Sequence, residues 1–273
     1  MENVSTEEFL LDAGGGRLLA RRLELTGAPP KRSPALVFLH EGLGSIAQWR
    51  NFPEALVART GLPALVYDRR GHGGSDPLDA PRTARYLHRE ALEVLPEVLA
   101  RCDLEDVILV GHSDGGSIAL LYASAHPQRV RGAITEAAHV FVEEETLAGI
   151  RAAGEAWRNT QLPEKLARYH GARTHALFHA WHDTWLTPEF RDWNIEDCLP
   201  GIRCPLLAIQ GRDDEYATEA QVEAIARQAG GPVETLIVPH CGHIPHHQAR
   251  EPVLEAMTRF VRVVSPVGRV SAA

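Results

Sequence analysis

The chain alternates short apolar runs with longer stretches of helical spacing. Ala35–Leu39, Ala64–Tyr67, Val107–Val110, Gly132–Thr135, Leu206–Gln210 and Thr235–Val238 are the apolar runs. Such short runs, with little polar alternation, predict strands buried on both faces, as in a parallel sheet. Between them, Arg85–Ala100, Ser117–Ala125 and Glu219–Gln228 repeat apolar residues at helical spacing, and Val253–Val263 adds a last amphipathic helix. Glu8–Leu11 and Leu18–Leu25 flank a turn containing Gly14-Gly15-Gly16 and predict an opening antiparallel hairpin. The sum is an α/β protein with a mostly parallel eight-stranded sheet covered by helices on both faces.

One stretch breaks this rhythm. Residues 141–196 show no buried strand, only amphipathic helices carrying Trp157, Trp181, Trp185 and Trp193, four of the five tryptophans. We expect a core built from 1–140 and 197–273, with 141–196 inserted as a helical lid over the ligand edge of the sheet. Open parallel sheets bind ligands at the carboxyl ends of their strands. Trp181 and Trp185 are the candidate substrate contacts, and the alternative is that these aromatics only fasten the insertion down.

Length and charge narrow the class. The chain's 273 residues fit one large domain with an insertion. A net charge of −8 without a basic stripe argues against nucleic acid as a partner and leaves a small-molecule substrate. Met1–Asp12 lacks the pattern of a secretory signal, and no apolar run has the length of a membrane helix. Cys102, Cys198, Cys204 and Cys241 are scattered, without metal-type spacing, so a cytoplasmic protein with reduced thiols is expected. His175, His179 and His182 share a helix face with Phe178 and have the number for zinc. The chemistry described next needs no metal or cofactor, so these histidines are expected to line a pocket.

Gly111-His112-Ser113-Asp114-Gly115 is a G-x-S-x-G segment that follows one strand run and precedes a helical run. In that setting the serine sits on a sharp strand-to-helix turn, with glycines where side chains would clash. Ser113 is therefore the candidate nucleophile, and the helix start offers a backbone N–H beside it. A serine needs a base, and the base needs an orienting carboxylate. The run ending at Gln210 leads into Gly211-Arg212-Asp213-Asp214-Glu215, and the run ending at Val238 leads into Pro239-His240-Cys241-Gly242-His243. Asp213 and Asp214 are candidate acids, with Glu136 in reserve. His240 and His243 are candidate bases, and His246 and His247 read as surface or pocket-rim residues.

These segments, with Asp68-Arg69-Arg70-Gly71-His72-Gly73-Gly74-Ser75, resemble the α/β-hydrolase superfamily over nearly the whole chain. The resemblance implies the α/β-hydrolase fold, a chain order of serine, acid, histidine, and a triad of Ser113, Asp214 and His243. It implies an oxyanion hole from the backbone N–H groups of Asp114 and Gly42, the latter in His40-Glu41-Gly42-Leu43-Gly44-Ser45. Glu41 stands where that turn usually has glycine. It also gives the segment beginning at Asp68 a structural role outside the site. Ser113-Asp114-Gly115-Gly116, Leu43-Gly44-Ser45 and Leu199-Pro200-Gly201-Ile202-Arg203-Cys204-Pro205 are similar to the valacyclovirase (biphenyl-hydrolase-like) group, in which the aspartate after the nucleophile binds a substrate amine.

A charge argument bears on that role. Carboxylates of Asp114, Glu41 and Glu136 near a developing oxyanion would each oppose it by roughly 3 kcal/mol at about 5 Å and an effective dielectric near 20. A substrate ammonium would offset this, which makes these three residues candidate substrate contacts. Equally, Asp114 suits the first turn of a helix for its macrodipole alone. The expected activity is hydrolysis of carboxylic esters, including amine-bearing ones, through an acyl-enzyme. A carbon–carbon hydrolase of aromatic ring-fission products, a thioesterase, a lactonase and a non-catalytic small-ligand receptor are the alternatives.

Overall fold

The computed structural model describes residues 4–27 and 34–265; residues 1–3, 28–33 and 266–273, which include both ends of the expected core, lie outside the described residues. Eight strands form one sheet: β1 (Val4–Ala13), β2 (Gly16–Leu25), β3 (Ala35–Leu39), β4 (Ala64–Tyr67), β5 (Val107–His112), β6 (Val130–Glu136), β7 (Leu206–Gly211) and β8 (Val233–Val238). Their order is β1-β2-β4-β3-β5-β6-β7-β8. β1 and β2 form the antiparallel hairpin and β2 joins β4 antiparallel, whereas β4 through β8 run parallel.

The two faces of the sheet follow from side-chain alternation. Val37, Leu39, Tyr67 and Leu109 face one apolar layer, which holds Leu95 of α3 (Leu95–Arg101), Ile118 of α4 (Asp114–Ala125) and Ile225 of α9 (Ala220–Gln228). Leu36, Phe38, Val66 and Ile108 face the other, with Phe52 of α1 (Phe52–Thr60) and Met257 of α11 (Arg250–Val264). β3 and β5 are buried along their whole length, which is why they read as unbroken apolar runs.

The helix expected over Arg85–Ala100 is interrupted. α2 (Tyr86–Arg89) passes through a π turn, Glu90–Val94, before α3 begins. Pro96, inside α3, cannot donate to the carbonyl one turn back, and wider turns accommodate that loss. Between β6 and β7 the chain forms α5 (Glu144–Asn159), α6 (Leu162–His170), α7 (Thr174–Trp185) and α8 (Pro188–Arg191). A short α10 (Pro245–Gln248) precedes α11. Among the described residues, no helix is long and apolar enough to cross a membrane.

Candidate active site

Ser113 lies between β5 and α4 with φ 54° and ψ −118°, in the left-handed half of backbone space that side chains normally avoid. The surrounding glycines make this possible. A Cβ on Gly111 would fall 2.2 Å from the Gly115 carbonyl, and one on Gly115 would fall 1.9 Å from the Leu39 carbonyl. The Ser113 N–H donates to the Glu136 carbonyl at 2.8 Å and fixes the turn against β6. Ser113 Oγ then lies 2.9 Å from Nε2 of His243.

His243 follows β8, and its Nδ1–H lies 2.9 Å from both carboxylate oxygens of Asp214. Of the acid candidates, Asp214 meets the imidazole, while Asp213 does not bond it. Two further donors hold Asp214: Gln210 Nε2 at 2.6 Å and the Tyr216 amide at 2.8 Å. Burial by itself would raise this carboxyl. The His243 imidazole and the Tyr216 amide outweigh it and keep Asp214 below the ordinary carboxylate range. Gln210 and Tyr216 escaped the sequence reading. A glutamine ending an otherwise apolar buried strand was the available signal for the first.

The loop of residues 40–45 is held by its carbonyls. His40 Nδ1–H and Arg69 Nη2 donate to the Glu41 carbonyl, each at 2.8 Å. His170 Nε2–H donates to the Leu43 carbonyl at 2.9 Å, and His72 Nδ1–H to the Gly44 carbonyl at 2.9 Å. With these oxygens occupied, the loop presents Gly42 to the cavity beside Ser113. A Cβ on Gly42 would lie 2.4 Å from Trp181 Nε1, so glycine is needed for the tryptophan to close over it.

That cavity, of about 180 Å³, is lined by Glu41, Gly42, Ser113, Asp114, His243, His139, Ile150, Trp181, Trp185 and Tyr216, among others. Trp181 and Trp185 thus face the serine. Trp157 instead stacks on Phe178 with ring centroids 4.1 Å apart, and Trp193 stacks on Phe190, so these two fasten the helices.

Several expectations change. Glu136 is not at the cavity: it is fully buried and accepts from His246 Nδ1 at 2.5 Å. His246 is correspondingly buried, not at the surface or the rim, because its ring packs on Trp49 and Phe52. His175, His179 and His182 do not line the cavity either. They gather around Trp157 and Phe178 on the outer side of α7, whose inner face carries Trp181 and Trp185. The segment beginning at Asp68 is not confined to a scaffold role. Asp68 does brace the amides of Ile46 and Gly74, but the next residue, Arg69, reaches Asp114.

Asp114 lines the cavity with its carboxylate turned inward. Its Oδ2 lies 3.4 Å from Arg69 and accepts from Tyr86 Oη at 2.8 Å, and Tyr86 Oη in turn accepts from Trp185 Nε1 at 2.9 Å. Both Asp114 and Arg69 are about 1% exposed. The positive charge expected of a substrate is therefore present in the protein, on Arg69. Arg69 and Tyr86 were missed because nothing local in the sequence brings them to Asp114.

A family model described as alpha/beta hydrolase fold matches residues 34–196. A proline iminopeptidase of Saccharolobus solfataricus is 24% identical over an alignment of 274 residues, covering 86% of this chain and 87% of that protein. The human serine hydrolase BPHL is 28% identical over 176 residues, 61% of this chain and 58% of its own length. An sn-1-specific diacylglycerol lipase of Mus musculus is 36% identical over 97 residues, and the match spans only 30% of that relative's length. Among solved structures, 2-hydroxy-6-oxo-6-phenylhexa-2,4-dienoate hydrolase from Rhodococcus sp. strain RHA1 superposes with a TM-score of 0.79 at 14% identity, covering 96% of this chain and 99% of that one. At such identity the likeness is one of fold.

Proposed function

The chain belongs to the alpha/beta hydrolase fold family, and from that premise we propose that it is a serine hydrolase of carboxylic esters. The observation that carries this reading is the line from Asp214 through His243 to Ser113 Oγ, with 2.9 Å at each contact. His243 takes the Ser113 proton as Oγ attacks the ester carbonyl. The N–H groups of Gly42 and Asp114 stabilise the tetrahedral oxyanion. His243 then protonates the leaving alcohol and afterwards deprotonates water, which releases the acid from Ser113. Asp214 holds the imidazole tautomer throughout.

The helices between β6 and β7 act as the lid, and Trp181 and Trp185 make an apolar wall for the acyl group. Because Arg69 already neutralises Asp114, the favoured substrates are uncharged esters, without a requirement for an amine near the acyl carbon.

The test is a matched panel of aryl esters, amino-acid esters, thioesters and ring-fission dienones, with wild type and Ser113→Ala. Wild type is expected to hydrolyse the plain esters and to be labelled at Ser113 by a fluorophosphonate. Ser113→Ala is expected to lose both properties, with kcat reduced on the order of 10⁴-fold or more. Turnover of the dienone without ester hydrolysis would assign carbon–carbon cleavage instead. A folded wild type that resists the label would point to a receptor.

A further inference from the structure

The histidines around the oxyanion loop divide by the partners of their ring nitrogens. A neutral imidazole offers one donor and one acceptor, whereas an imidazolium offers two donors. His40, His72 and His170 each face one acceptor and one donor. Besides the carbonyl each of them binds, His40 Nε2 accepts from the Arg69 amide at 3.0 Å, His72 Nε2 from Arg82 at 2.7 Å, and His170 Nδ1 from the Gly73 amide at 3.1 Å. These three are fixed as neutral rings.

His112 differs. It is fully buried beneath Ser113, and both of its nitrogens face acceptors. Nε2–H donates to the His243 carbonyl at 2.7 Å, and Nδ1 faces Glu41 Oε2 at 3.4 Å. Only a doubly protonated ring uses both contacts while Glu41 is ionised. Among the described residues, the other neighbours supply no second anion at contact distance. Trp49 and the rings of His243 and His246 pack around it, and Glu136, the next carboxylate, is already bound to His246.

Resting on the serine hydrolase reading, we infer that the buried His112 and the partly exposed Glu41 form an ion pair that positions the oxyanion loop and His243 against the nucleophile. One end of the ring holds the backbone of the base, and the other holds the side chain next to the Gly42 donor. His112 is thus a positioning residue, and Glu41, the departure from the usual glycine, is its counter-charge. The pairing also removes the repulsion that a bare Glu41 carboxylate would exert on the oxyanion. Gly44 makes room for it, since a Cβ there would meet Glu41 Oε2 at 2.3 Å. Burial disfavours the charged ring, yet the hydrogen bond and charge of Glu41 raise His112 to about 8. Burial likewise opposes the ionised Glu41, and His112 holds it well below the usual carboxylate range.

The test is a double-mutant cycle on p-nitrophenyl butyrate with His112→Gln, Glu41→Gln and both. Glutamine at 112 retains a donor for the His243 carbonyl but no charge. His112→Gln alone leaves the Glu41 carboxylate without its counter-charge, with only the neutral Gln48 amide still donating to it, and kcat is expected to fall on the order of tenfold to hundredfold with little change in KM. Adding Glu41→Gln is expected to recover most of that loss, which a purely steric role would not produce. In wild type, kcat/KM is expected to decline as pH rises through about 8, the value to which His112 is raised. This limb is expected to be absent from the double variant. Nitrogen-15 spectra of wild type at neutral pH are expected to show His112 protonated on both nitrogens. Additive losses, an unmoved alkaline limb or a neutral His112 ring would each overturn the inference. If fluorophosphonate fails to label Ser113 while the spectra show a charged His112, the hydrolase reading has failed and the ion pair stands.

Discussion

Asp214 and Asp114 are both buried carboxylates near Ser113, and their partners give them different work. Asp214 faces the N–H of a neutral or charged imidazole and two further donors, so it remains a fixed acceptor beside His243. Asp214→Asn is expected to favour the wrong imidazole tautomer and to lower kcat on the order of 10³–10⁴-fold, read in steady-state kinetics, with the fold retained. Asp114 faces Arg69. Asp114→Asn is expected to strand a buried guanidinium and to lower unfolding free energy by about 3 kcal/mol in chemical denaturation. The same variant is expected to leave the ratio of kcat/KM between an amino-acid ester and its des-amino analogue unchanged. A ratio that shifts tenfold toward the des-amino ester would restore Asp114 as an amine contact.

At the level of the element, the strand-to-helix elbow is tightly constrained. β5 ends at His112, α4 begins at Asp114, and Ser113 alone makes the turn at positive φ. Gly115 lies against the main chain of β3, which cannot move without disturbing the centre of the sheet. Gly115→Ala is therefore expected to cost several kcal/mol, on the order of 3, and to lower Tm in a thermal melt. A Tm within a degree of wild type would mean that β3 yields more easily than its buried position suggests. The elbow was legible in the sequence because strand, glycines and helix are adjacent along the chain. The interruption in the helix after Arg85 was less so, because a π turn leaves apolar spacing almost unaltered and only Pro96 hints at it.

Across the whole molecule, the neutral histidines tie stability to pH. Burial is the main cause that lowers His40, His72 and His170 below their ordinary value of 6.5. The unfolded chain therefore binds protons that the folded chain refuses, and stability falls as pH drops below about 6.5, by roughly 1.4 kcal/mol per pH unit for each such group until its folded value is reached. Their contribution is intact above about 6.5. Because these rings hold the carbonyls of the loop at residues 40–45, acid is expected to loosen that loop as well as the fold. Thermal melts at about pH 7.5 and about pH 5.5 are expected to give a lower Tm at the acid value. An equal or higher Tm at the acid value would show that these rings accept protons without losing their contacts.

The order of strands and helices, the elbow at Ser113, and the segments after β7 and β8 that carry Asp214 and His243 were fixed by sequence, since periodicity and turn chemistry act between neighbours in the chain. The choice of Asp214 over Asp213 rested on resemblance to a family and became a matter of distance only when the β7 and β8 ends met. Which charges stand together was decided by tertiary structure alone. Glu136 went to His246, Asp114 to Arg69, and Glu41 to His112, pairs separated by 110, 45 and 71 positions. Buried charges require partners, and the partner is whichever opposite group the packed sheet brings within reach.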